Sequence, residues 1–217
     1  MTFTTRPALA ALLLLAPLGL SCSDAYYSFW EGVGKEKRDL FRGHVEKVRD
    51  DQEEASEQFK DTLEKIKVVY QVEDSELETS FRKLESAYEE AESRASQVRD
   101  RIDKLNRIAE DLFTEWEGEI ASMSSAELKS RSSVKLKATK SRFAEMRVVM
   151  KKSEARMEPV LTRFRDQVLF MKHDLNARAL SDLEGEVISI EADVESLVRD
   201  LELSIAEADR FIGELNV

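Results

Sequence analysis

His44 and His173 are the only imidazoles in the chain, so they bound what metal chemistry is open to it. Di-metal sites in helix bundles need Glu-x-x-His on two helices. Here Phe41 stands three before His44, and Phe170 stands three before His173. No H-E-x-x-H pair occurs. His173 beside Asp174 is a thin ligand set, so neither metal nor cofactor is expected. Gly32-Val33-Gly34-Lys35 echoes a phosphate-binding loop but lacks the leading glycine and the following serine or threonine. Glycines there loosen the start of a helix. With no catalytic set in view, a non-enzymatic protein is expected.

Two polar groups remain as candidate surfaces. Arg165, Lys172, His173, Asp174, Asn176 and Arg178 surround an expected turn and form a candidate partner-binding tip. Against that, Asn176 suits a helix cap, and Lys172 and His173 suit the negative end of a helix dipole. The second group is a basic stretch. From Lys129 to Lys152 there are nine basic residues against Glu145 alone. Its candidate face is Lys129, Arg131, Lys135, Lys137, Lys140 and Arg142. Such a face suits anionic lipid, lipopolysaccharide or a cell-wall polymer. It equally suits pairing inside the chain, because 181–217 holds eleven acidic residues against Arg199 and Arg210.

Cys22 is the only cysteine, so an internal disulfide is excluded. It follows a leader in which Arg6 is the only charge and Ala8 to Leu20 is almost wholly apolar. That run is short for a bilayer span, which takes ~20 residues, and reads as a secretory signal. Leu18-Gly19-Leu20-Ser21-Cys22 resembles a bacterial lipoprotein processing site, where the cysteine is acylated and becomes the new N-terminus. Gly19 departs from the leucine usual at its position, and ordinary cleavage nearby is the alternative. Ser23, in place of an aspartate, points to the outer membrane by the same resemblance. Its periplasmic face is the expected location, with a soluble periplasmic protein as the alternative. Tyr26, Tyr27, Phe29 and Trp30 follow. They suit a membrane interface or the base of a core.

The elements that must position these groups are helices. From Leu77 to Trp116 an apolar residue recurs in steps of four and three. That repeat marks a long helix buried along one seam. Similar stripes run from Phe41 to Tyr70, Phe143 to Leu175 and Leu183 to Leu215. Gln52 is the one polar residue in the first stripe; at a seam position it can fix register at some cost in stability, but it is expected to be partly exposed. Ser75-Glu76-Leu77-Glu78, Ser124-Ser125-Ala126-Glu127 and Ser181-Asp182-Leu183-Glu184 read as capping boxes. Past the leader the only proline is Pro159, where a kink in one continuous helix is expected. Flanking Ile188, Val198, Leu203 and Phe211 widen the fourth stripe beyond a two-stranded seam.

Short links make neighbouring helices antiparallel. The expected fold is all-α, an elongated antiparallel four-helix bundle built from coiled-coil hairpins. A signal peptide over 1–21 precedes one domain over 22–217. Its helices are expected near 29–70, 75–122, 125–175 and 181–215. The net charge of −11 argues against nucleic acid as a partner.

Several runs carry a family resemblance: Tyr26-Tyr27-Ser28-Phe29-Trp30-Glu31, Gly34 to Arg38, Val48 to Ala55, and Phe164 to His173 continuing to Asn176-Ala177-Arg178. They resemble an uncharacterised family of bacterial envelope proteins known as domain of unknown function 2959. The resemblance implies a Gram-negative source, an exported and often lipidated chain, and a helical fold. It implies no activity and supplies no functional residues. The expectation is therefore an envelope lipoprotein, a rod-like scaffold or adaptor for a protein or cell-wall partner. The competing expectation is a helical protein that lies on membranes or self-associates.

Overall fold

Apolar residues spaced four and three apart are buried in all four helices of the structure, a computed structural model that describes residues 37–173 and 184–215. The helices are α1 (Lys37–Val69), α2 (Asp74–Ser122), α3 (Ala126–His173) and α4 (Glu184–Leu215). All but the first start within about three residues of the spacing-based bounds, and the leader, residues 29–36 and Ser181 lie outside the described residues. In α1 the predicted stripe from Phe41 to Ile66 is buried throughout. In α2 it is buried from Leu77 to Trp116, with Tyr88 half-buried.

Consecutive helices run antiparallel. Lys37 at the start of α1 meets Glu115 near the end of α2, while Gln58, further along α1, donates to the carbonyl of Ala87. α1 packs against α2 and α4, and α3 packs against the same two. The cross-section is thus a square, with α1 and α3 on one diagonal. At ~1.5 Å per residue the 49 residues of α2 span ~74 Å.

Two layers define the core. In the first, each helix contributes one phenylalanine: Phe41, Phe113, Phe143 and Phe211. The Phe41 ring lies 6.0, 5.5 and 5.7 Å from the other three. The second layer is polar. Gln52 is 0% exposed, not partly exposed as its polarity suggested. Its Nε2 donates to Ser153 Oγ on α3 at 3.0 Å, and Ser204 Oγ on α4 donates to its Oε1 at 2.9 Å. Ser153 Oγ also donates to the carbonyl of Met150. The two serines leave room for the amide and satisfy it, as a buried polar group requires.

The layers correct the fourth stripe. The seam of α4 runs through Leu201, Ser204, Ala208 and Phe211, while Ile205 and Ile212 are only half-buried. Val198 and Phe211 are buried, but Ile188 and Leu203 are exposed. The wide apolar face therefore belongs only partly to the core.

Two capping expectations also change. α2 starts one residue early, at Asp74, behind Glu73 in extended backbone (φ −76°, ψ 161°) with no side-chain cap. Ser75 lies inside the first turn. At α3 the cap is Ser125 rather than Ser124, its Oγ accepting from Leu128 N at 3.3 Å. α3 runs unbroken through Pro159. Pro159 and Ala155, whose carbonyl loses its partner, are both on the exposed side, where water can satisfy that group.

Candidate functional site

The basic stretch begins where α2 turns back into α3, and three contacts hold this hairpin end in place. Trp116 Nε1 donates to Ser132 Oγ at 3.0 Å, and Arg38 of α1 lies over the Trp116 ring at 5.4 Å. Lys129 Nζ donates to the carbonyl of Ala121 at 3.2 Å. The last turn of α2 has no basic residue of its own, so Lys129 supplies positive charge to its dipole from the neighbouring helix.

Further along α3 the cations are paired with other helices. Lys140 meets Glu117 at 2.6 Å, and Arg142 meets Glu145 and, in α4, Glu214. Lys151 meets Asp103 and Glu154. Lys152 and Arg156 both meet buried Asp200. Pairing inside the chain, with α2, with α4 and within α3, thus accounts for Lys140, Arg142, Lys151 and Lys152 in this half of the basic stretch, while Arg147 is exposed and meets no carboxylate among the described residues. The exposed pairs among these contribute little to stability, about 0–1 kcal/mol each.

The other half is different. Arg131, Lys135 and Lys137 are exposed, and no carboxylate among the described residues pairs with them. Leu128, Arg131, Lys135 and Arg142 are spaced by three, four and seven, which places them along one side of α3. At Arg142 this side meets Glu214 in the last turn of α4. Before Arg142, α3 extends for sixteen residues, ~24 Å, past that pair. Leu128 and Val134 lie on this extension, 57% and 68% exposed. Neither residue is marked by the basic stretch itself. The available signal was that Leu128 and Val134 fall outside the stripe that begins at Phe143.

The candidate tip is not assembled among the described residues. Lys172 and His173 sit exposed in the last turn of α3, where they complement its dipole. Asp174, Asn176 and Arg178 lie outside the described residues, as does Cys22. Arg165 is eight residues back, ~12 Å along the helix, in a groove between α2 and α3 with Tyr88, Glu92, Arg99 and Glu158. Near the same end Tyr70 donates to Gln167 of α3. Burial, with Glu186 adding to it, pushes the phenol up to about 12, so it stays a donor.

His44, the other candidate ligand, is 4% exposed on α1. Burial first, then Lys104, Lys47 and Arg101, push its imidazole down to about 4. No group of three or more potential metal ligands occurs among the described residues. The low value has a consequence for stability. An unfolded chain takes up the His44 proton near pH 6.5, the folded chain only near 4. The unfolded state therefore binds more protons between these values, and stability falls as pH drops through that window. From pH 7 to pH 5 the contribution is about 2 kcal/mol. Urea denaturation at both pH values should show His44→Leu losing about 2 kcal/mol less than wild type on acidification. An equal loss in the two proteins would contradict the assignment.

Residues 26–215 match the family described as a protein of unknown function (DUF2959), and the chain belongs to that family. No curated protein and no solved structure matches it.

Proposed function

We propose that this member of the family is a non-enzymatic scaffold of the bacterial cell envelope, tethered by a lipid on Cys22 and binding a protein or cell-wall partner. The observation that carries the reading is the filled interior of a long rod. Apolar side chains close the core from Phe41 and Trp116 at one end to Met171 and Leu77 at the other. Several polar groups within that span join helices, as in the Gln52 layer and the Asp200 pairs. Side chains arranged this way hold helices in register and present long outer faces to a partner. The leader and the placement of Cys22 support the tether.

Cells expressing the protein and fed radiolabelled palmitate should yield a labelled band that disappears in Cys22→Ala. A wild-type band without label, or label that survives the substitution, would remove the tether from the proposal.

A further inference from the structure

We infer that the hairpin end of α2 and α3 docks on anionic lipid headgroups, through Arg131, Lys135 and Lys137 with Leu128 and Val134 beside them. The inference rests on the tethered reading and adds a second, non-covalent membrane contact to it.

Three observations carry it. The first is charge. The chain as a whole is strongly acidic, at −11, yet this end holds Lys129, Arg131, Lys135 and Lys137 against Glu119 and Glu127. Lys129 is engaged by the end of α2, and Glu127 lies in the first turn of α3, where a carboxylate complements the dipole. The remaining cations face outward. Charges further than a Debye length, about 10 Å at 0.1 M salt, contribute little. The acidic surface further along the rod therefore does not cancel attraction at its end.

The second observation selects lipid over a charged polymer. Leu128 and Val134 are exposed among the cations. A hydrated glycan or phosphate chain offers apolar side chains no transfer free energy. At a bilayer surface they can enter the boundary between headgroups and acyl chains. Cations beside apolar residues make a surface suited to that boundary.

The third is reach. Lys37, the first residue of α1, pairs with Glu115, one turn before the segment of α2 that leads into the hairpin. Fourteen residues lie between Cys22 and Lys37, a reach of at most about 50 Å when fully extended. A membrane holding the acyl group is therefore within chain length of the hairpin end.

The test uses a chain of residues 22–217 carrying Cys22→Ser, which keeps every described helix and removes the acylation site. It is floated with vesicles of phosphatidylcholine alone or with about a third phosphatidylglycerol. Each cation near an anionic surface adds attraction, so binding to the anionic vesicles should exceed binding to the neutral ones by about tenfold or more. Raising the salt to about 0.5 M should abolish the difference. Arg131→Glu/Lys135→Glu/Lys137→Glu should no longer float. Lys60→Glu/Lys83→Glu, which reverses exposed cations elsewhere, should float like the parent. If the triple reversal melts early, the glutamine versions at the same three positions replace it.

Equal binding to both vesicle types, no flotation at low salt, or undiminished flotation of the triple variant would overturn the inference. The tether fails by a different readout. Palmitate label absent with flotation intact removes the anchor and keeps this surface. Label present without flotation does the reverse.

Discussion

Phe41→Ala is expected to lower the unfolding free energy by about 4 kcal/mol, a large share of what a domain of this size has to lose. Phe41 is fully buried, and its ring centroid lies within 6.0 Å of one phenylalanine from each of the other three helices. Truncation removes the transfer free energy of the ring and leaves a cavity that none of the helices can fill alone. Collapse of one helix toward the gap would pull Phe113 and Phe143 off each other, now 5.8 Å apart. It would also disturb Phe143 and Phe211, now 6.1 Å apart. Phe41→Leu keeps most of the volume and should cost about 1.5 kcal/mol. Urea titrations of the two variants would measure both values. A loss under about 1 kcal/mol for the alanine variant would mean that the layer repacks, contrary to its geometry.

The second large effect is expected at Gln52. Gln52→Ala should cost about 3 kcal/mol, combining a cavity with the loss of both cross-helix hydrogen bonds. Ser204→Ala should cost about 1 kcal/mol. In the double variant the two losses should fall short of additivity by about 1 kcal/mol, because one hydrogen bond is removed twice. Strict additivity would show that Ser204 does not donate to Gln52. Gln52→Leu is the informative contrast. It fills the space, and the serine hydroxyls can bond back to their own helices, as Ser153 already does to Met150. Its stability should stay within about 1 kcal/mol of wild type. What it removes is the polar layer that pins α1, α3 and α4 in register.

The helices were legible because their cause is local. Spacings of four and three, with few breakers, mark four buried stripes, and the structure buries them with few exceptions. The short links then leave only antiparallel neighbours. The chemistry of the helix ends was less legible. Ser125 and Ser124 are equally good caps by type, and only the path of the chain into α3 selects Ser125. The cations of the candidate surface were visible as a run. The apolar partners Leu128 and Val134 were not, because both fall outside the seam spacing and only the packed helices show which off-seam residues stay exposed.

What the sequence by itself determined is the all-α bundle, its four stripes and the uneven distribution of charge, all of which depend on neighbours a few residues apart. Tertiary structure decided the fate of individual polar groups. Gln52 is buried because Ser153 and Ser204, 101 and 152 residues away, arrive beside it with small side chains and hydroxyls. Lys140, Arg142, Lys151 and Lys152 pair with Glu117, Glu214, Asp103 and Asp200, while Arg131, Lys135 and Lys137 meet no carboxylate among the described residues. The physical reason is the same in each case. Whether a charge or an amide meets a partner depends on which residues of another helix lie opposite, and no periodicity along a single helix contains that fact.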